Sequence, residues 1–231
     1  MLSITAIAFD FDGTLVDISK PYSMAFNKTL KHFGFPESDP LELYRKGASD
    51  LKAQFSRAFV KAEGDKALME KCLKMHCENY MQIHLKYLKV LNRALHTVRE
   101  LHSKGFKLAL VGGRPISQVE PELEFSGIGD YLDLVLTAEA VSRPKPAPDI
   151  VQRAIEFWNI SAGQILVVGD SPDDIASAKS AGAFSAGVCG GYFSKEAVVK
   201  AKPDFLLDSV SDILGIVALN PKNFEVAQQN R

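Results

Sequence analysis

Ile7-Ala8-Phe9-Asp10-Phe11-Asp12-Gly13-Thr14-Leu15-Val16 is an apolar run that carries two aspartates at alternate positions and then breaks at a glycine. Alternation along a strand sends the side chains of Asp10 and Asp12 to the same face. Two carboxylates so placed repel one another unless a cation sits with them. A buried strand end bearing both therefore suggests a metal site or acid/base chemistry. An ordinary strand closing in an Asp-Gly turn would look the same in this run alone, so the remaining segments have to choose between the two.

Working outward, Ile4 to Asp12 reads as a buried strand, and from about Tyr22 to Leu91 the chain is helical in character. Pro21 opens a helix over Tyr22 to Phe33, with Phe26, Leu30 and Phe33 at helical spacing. Gly34, Pro36 and Pro40 punctuate a connection, and further helices are predicted over Leu51 to Ala62 and Ala67 to Leu88, with Gly64 between them. No strand pattern interrupts this stretch. Beyond it strands and helices alternate. Strands are predicted at Lys107–Val111, Leu132–Leu136, Ile165–Val168, Ser185–Val188 and Phe205–Leu207. Helices are predicted at Asn92–Ser103, Ile116–Phe125, Pro148–Asn159, Pro172–Ala181 and Ser194–Ala201, with a closing helix from about Ser209 to Leu219. Gly105 and Gly182 mark helix ends.

Short apolar strands separated by helices imply α/β architecture, a doubly wound parallel sheet covered on both faces. The helical run is an insertion into it. The expected division is a core from residues 1–16 and 92–220, a helical cap over 17–91, and a polar tail over 221–231.

Composition narrows the function classes. The chain has 231 residues, 46% hydrophobic and 24% charged, with a formal net charge of −1. No basic surplus suggests nucleic acid and no polybasic stretch suggests a membrane surface. The N-terminus has no positive n-region, and no apolar stretch is long enough for a bilayer. Three cysteines, Cys72, Cys77 and Cys189, read as reduced thiols of a cytoplasmic protein. No second pair completes a Cys72–Cys77 metal site. The five histidines lack metal-ligand spacing, and most read as solvated helix residues.

Open α/β sheets build their sites beyond the carboxyl ends of the strands. Applied here, that rule collects Asp10 and Asp12, Gly112-Gly113-Arg114, a loop with Arg143 and Lys145 among Pro144, Pro146 and Pro148, and Gly169-Asp170-Ser171 followed by Asp173 and Asp174. Clustered aspartates favour a hard cation, usually Mg²⁺. Such a cation neutralises both the carboxylates and an incoming phosphate, a carboxylate can attack phosphorus, and Lys145 supplies fixed positive charge for the phosphoryl oxygens. The set describes metal-assisted phosphoryl transfer.

These residues also resemble a family. Asp10-Phe11-Asp12-Gly13-Thr14 is similar to the first motif of the haloacid dehalogenase (HAD) superfamily, Lys145-Pro146-Ala147-Pro148-Asp149 to its third, and Gly169-Asp170-Ser171-Pro172-Asp173-Asp174 to its fourth. Their order holds from Ile4 to about Val217. The resemblance implies a Rossmann-like core and a Mg²⁺ cofactor. It makes Asp10 the nucleophile and a metal ligand, and Asp12 the general acid/base with its carbonyl on the metal. Asp170 is implied as a direct ligand, Asp174 as a ligand or the holder of a metal-bound water, and Lys145 as the partner of Asp10 and phosphate.

The helical insertion resembles the cap of the phosphoglycolate phosphatase and β-phosphoglucomutase branch. Asp12 favours phosphate esters over halides, because an alkoxide leaving group needs a proton. Tyr22 stands where mutases of the branch usually carry histidine. The expected activity is thus a phosphatase acting on a small phosphorylated metabolite through an aspartyl-phosphate, as a monomer or homodimer. A phosphomutase, a pyrophosphatase and a low-activity regulatory or binding protein are the alternatives.

The second motif departs from the pattern, with Gly112 where the family has Thr or Ser. Losing a charge-assisted hydrogen bond costs roughly 1.5–3 kcal/mol. The N–H groups of Gly112 and Gly113 forming a small anion nest, with Arg114 or Ser171 leaning in, would offset part of that; a tight turn is the plain alternative. In the cap, Arg45 and Lys46 within Tyr44-Arg45-Lys46-Gly47-Ala48-Ser49 are candidate substrate contacts, against a solvated turn. Phe157 and Trp158 read as core. Asp17 reads as a hinge or turn residue, Asp173 as facing away from the site, and Gly190-Gly191 as a flexible loop near the rim.

Overall fold

A computed structural model describes residues 4–48, 50–59 and 65–218. The strands are β1 (Ala6–Phe9), β2 (Val16–Asp17), β3 (Lys89–Val90), β4 (Lys107–Val111), β5 (Leu134–Leu136), β6 (Ile165–Gly169), β7 (Phe184–Val188) and β8 (Phe205–Leu207). The helices are α1 (Ser19–His32), α2 (Pro40–Arg45), α3 (Leu51–Ala58), α4 (Lys66–Met81), α5 (His84–Tyr87), α6 (Ala94–Ser103), α7 (Ile116–Ser126), α8 (Asp149–Trp158), α9 (Pro172–Ser180), α10 (Lys195–Lys200) and α11 (Ile213–Ala218). The chain divides into two units, one of residues 1–17 and 90–231 and one of residues 18–89. The expected tail at 221–231, Gly64 and Ser49 lie outside the described residues. No described helix is long and apolar enough to cross a membrane.

The first unit is a six-stranded parallel sheet in the order β5-β4-β1-β6-β7-β8. The order reverses at β1, so β1 lies between β4 and β6, and the crevice outside the strand ends opens there. All four residues of β1 are fully buried, as expected of a strand covered on both faces. One apolar layer joins Ala6, Ala8, Ala109, Val111 and Val167 of the sheet to Ile150, Val151 and Ala154 of α8. Those three positions of α8 fall on one helical stripe. Phe157, in the last turn of α8, is exposed and is therefore not the core residue expected, while Trp158 packs against the layer.

In one respect the first motif differs from the expectation. The strand stops at Phe9 instead of running on to Asp12, so strict alternation does not place the two carboxylates. A tight turn does: the N–H groups of Thr14, Leu15 and Val16 all donate to the Phe11 carbonyl, and the Gly13 N–H donates to the Val16 carbonyl. The turn carries Asp10 and Asp12 past the strand end with Gly13 at φ +84°.

The second unit is helical, with one apolar cluster of Phe26, Leu30, Phe55, Phe59 and Cys72. Asp39, Asp50 and Asp65 cap α2, α3 and α4 by accepting from the N–H groups of Leu41, Ala53 and Leu68. Helix α2 was not expected, because Pro40 reads as a break; here it is the first helical residue behind an N-cap, where its missing N–H costs nothing. The short pair β2–β3 adds strand at Lys89–Val90, where none was expected. His76 and His84 are buried rather than solvated.

Candidate active site

Four strand ends supply the site. Asp10 follows β1, and its N–H donates to the Val168 carbonyl at 2.8 Å, so the residue continues the sheet pairing and its carboxyl is aimed past the edge. Lys145 comes from the loop between β5 and α8. Its ammonium donates to Asp10 Oδ1 at 2.6 Å, to Asp174 Oδ1 at 2.6 Å and to the Val111 carbonyl, the last residue of β4, at 3.1 Å. One cation thus ties together the ends of β1 and β4 and the start of α9.

Asp174 is set by local sequence. Ser171 caps α9 and Pro172 is its first residue; the Ser171 hydroxyl and N–H donate to Asp174 Oδ2 at 2.6 and 3.2 Å, and the Asp174 N–H donates back to the Ser171 hydroxyl. This reciprocal capping box leaves the carboxyl with little freedom. Asp170, at the end of β6, accepts from the Tyr192 N–H. Thr14 places its hydroxyl between acids, 3.4 Å from Asp10 Oδ2 and 3.5 Å from Asp170 Oδ1. Thr14 is thus a site residue that its place in the first motif does not by itself reveal.

Glycines make the close packing possible. A Cβ on Gly191 would lie 2.2 Å from Asp170 Oδ2, and one on Gly169 would lie 2.3 Å from the Asp174 carboxyl. The expected flexible loop at Gly190-Gly191 is instead backbone pressed against a site carboxylate.

Asp10, Asp170 and Asp174 each bring a carboxylate oxygen within 4.8 Å of the others, and all three are buried. Burial first, then the neighbouring charges of Asp174 and Asp12, push the Asp10 carboxyl up to about 7 despite the opposing pull of Lys145. Burial likewise raises Asp170 well above the ordinary carboxylate range, aided by Asp10 and Asp174. Burial works against the charge of Lys145, but Asp10 and Asp174 outweigh it and raise the ammonium well above its usual value. Three acids against one lysine leave surplus negative charge, and the donors are all hard oxygen. That set suits a divalent cation of the Mg²⁺ type.

Asp12 lies beside this cluster, and its carboxyl is also raised, by burial acting against Arg114. The guanidinium of Arg114 grips it with two bonds, Nε to Oδ2 at 2.6 Å and Nη2 to Oδ1 at 2.7 Å. The same guanidinium donates to Glu122 of α7, from Nη1 at 3.1 Å and Nη2 at 2.5 Å. Arg114, expected at the phosphate, is directed instead to these two carboxylates. Glu122 was missed, since one acid on a helix gives no sequence signal of what it faces.

The N–H of Gly112 donates to the Leu136 carbonyl at 2.8 Å, continuing the β4–β5 pairing, so it is not a donor for the expected nest. Arg143 pairs with Asp149 through two bonds at an exposed position. In the second unit, Lys46 pairs with Glu42 on the surface, and the Tyr22 hydroxyl donates to Gln54 Oε1 at 3.0 Å.

Comparison with known proteins agrees with this architecture. The family model for haloacid dehalogenase-like hydrolases matches residues 7–188. The phosphoglycolate phosphatase of Vibrio cholerae is 32% identical over 225 residues, covering 95% of this chain and all of that protein. The pyrophosphatase PpaX of Bacillus pumilus is 28% identical over 215 residues, covering 93% of this chain and 97% of its own. A crystal structure of a predicted phosphoglycolate phosphatase from Haemophilus somnus superposes with a TM-score of 0.86 at 27% identity, covering 94% of this chain and 99% of that one. The chain belongs to the haloacid dehalogenase-like hydrolases.

Proposed function

We propose that the protein is a Mg²⁺-dependent phosphatase that hydrolyses a small phosphorylated metabolite of the phosphoglycolate kind through an aspartyl-phosphate on Asp10. One observation carries the reading: Lys145 bridges Asp10 and Asp174 at 2.6 Å each, inside a cluster whose third acid is Asp170. Carboxylates that repel one another this strongly are held together where a cation and a phosphate are to be received.

Asp10, Asp170 and Asp174 are the side chains that would hold Mg²⁺, together with the Asp12 carbonyl. When bound, the ion supplies charge neutralisation for the acids and the phosphoryl oxygens. The Asp10 carboxylate attacks phosphorus, forming an O–P bond as the bond to the leaving oxygen breaks. Asp12 delivers a proton to that oxygen and later takes one from the water that releases phosphate from Asp10. Lys145 balances the charge of Asp10 and of the transferred group throughout.

The test is phosphate release from a panel containing phosphoglycolate, sugar phosphates and pyrophosphate, with and without Mg²⁺, and with Asp10→Asn as control. The reading requires activity on at least one monoester that is lost both with EDTA and in Asp10→Asn. Turnover that survives either treatment overturns it. Preferential hydrolysis of pyrophosphate would move the substrate class toward that of the Bacillus relative.

A further inference from the structure

Glu122 is a buried carboxylate outside the lysine-centred cluster and has no part in the chemistry just described. It sits on α7 with no exposed surface, and its two oxygens receive Nη1 and Nη2 of Arg114. The remaining edge of the same guanidinium, Nε and Nη2, is spent on both oxygens of Asp12. Arg114 is itself largely enclosed, with the Phe11 ring 5.9 Å from its Cζ.

A guanidinium is planar, with its donors in a fixed fork. Gripped along one edge by a carboxylate rooted in a helix, it loses rotation, and its other edge points in one direction. The direction it faces here is Asp12. Both Asp12 oxygens are held by it, so the orientation of that carboxyl is set from α7, through Arg114, rather than by the turn that carries Asp12.

We propose that Glu122 is a positioning residue that acts through Arg114 to aim Asp12 at the leaving-group oxygen. The inference rests on the phosphatase reading above, in which Asp12 passes the proton. The Arg114–Glu122 pair thereby does a different job from binding phosphate. The competing account is a plain structural tie between the loop after β4 and α7, and the two accounts differ in what they do to leaving groups. Misdirecting a proton donor hurts a reaction in proportion to how badly its leaving group needs the proton. A loosened fold hurts all substrates alike.

The experiment uses the full chain with saturating Mg²⁺ and a series of aryl phosphates, from 2,4-dinitrophenyl phosphate to phenyl phosphate. It reads kcat/KM, which reports the steps up to departure of the phenol. In Glu122→Gln, kcat/KM is expected to fall about tenfold or more on phenyl phosphate and less than about threefold on the dinitrophenyl ester. Arg114→Lys, which cannot fork onto two carboxylates, is expected to give the same tilt.

The double variant Arg114→Met/Glu122→Leu removes Glu122 together with its counter-charge, so no carboxylate is left unpaired on α7, while Asp12 loses the guanidinium that aims it. It too is expected to show the leaving-group-dependent loss with an unchanged circular dichroism spectrum. An equal loss across the series, or none, overturns the positioning role and leaves a structural tie. Wild-type protein that releases no phosphate from any ester, or Asp10→Asn that matches it, overturns the phosphatase reading itself.

Discussion

Lys145 donates to two carboxylates and a carbonyl, so each of its three N–H groups has an acceptor. A buried ammonium so engaged cannot be shortened without leaving acids uncompensated, an expensive change. The neighbouring Gly112 is the opposite case. Its backbone lies outside the left-handed region, and an added Cβ would meet only Leu110 Cδ2, at 3.4 Å. Gly112→Thr is therefore accommodated, and its hydroxyl is expected to raise kcat on an aryl phosphate by about tenfold, as one further hydrogen bond to a phosphoryl oxygen would. Steady-state kinetics check this, and unchanged or lower turnover shows that the hydroxyl is not what limits the enzyme.

Gly191→Ala is expected to displace Asp170, with loss of more than 90% of activity, roughly the effect of a 1 Å misplacement. The variant's Mg²⁺ titration should weaken in parallel. At this scale the grouping of Asp10, Asp170 and Asp174 around Lys145 was legible, since each sits in a short local motif, whereas the Ser171 hydroxyl, expected near the phosphate, is turned to Asp174. Gly191 and Glu122 were not legible. Their importance comes from approaches to Asp170 and Arg114 that only the folded chain creates.

Among the elements, α9 shows how a helix start doubles as site scaffolding. Ser171→Ala removes both the cap and the hydroxyl on Asp174 Oδ2. It is expected to lower stability by about 1 kcal/mol and also to reduce kcat, so thermal melts and kinetics should move together. Helix α4 holds a liability of a different kind. His76 is buried among Tyr22, Phe26, Phe55 and Tyr80, and its Nδ1 has no hydrogen-bond partner among the described residues.

Burial pushes the His76 imidazole down to about 4 from the usual 6.5. Unfolded chains bind the proton more readily across that window, so stability attributable to His76 falls as pH drops from 6.5 toward 4. His76→Phe is expected to flatten that part of the melting-temperature profile, and a profile of unchanged steepness contradicts it.

The strands and helices of the sheet unit were readable because apolar runs and glycine stops are strong local signals. The end of β1 at Phe9 was not, since the turn around Phe11 is built from backbone bonds that leave no mark in residue type. Helix α2 was hidden by Pro40, which breaks a helix in its middle and begins one at its start.

For the molecule as a whole, a cation received by the acid cluster would couple its binding to stability. Without a cation Asp10 sits at about 7, above its unfolded value near 3.8. The folded protein then holds a proton that the unfolded chain releases, so the stability attributable to Asp10 is full at low pH and is lost as pH rises from about 3.8 through about 7. A divalent cation held by these acids would remove that penalty. Mg²⁺ is expected to raise the melting temperature more at pH 8 than at pH 5, and a gain independent of pH in scanning fluorimetry would show that these acids do not receive it.

The parallel sheet and the existence of a helical insertion were plain in the order of the segments. The pairing of β2 with β3 was not, because two-residue strands carry no periodicity. That small ribbon has a consequence for chain economy. The polypeptide departs from the sheet unit and returns to it along hydrogen-bonded neighbours, so the ends of the insertion are joined whatever lies between them. Closure entropy grows only with the logarithm of loop length, about 0.6 kcal/mol per doubling. Residues can accordingly be gained or lost in that segment at little thermodynamic penalty while the strand pairing of the sheet stays as it is.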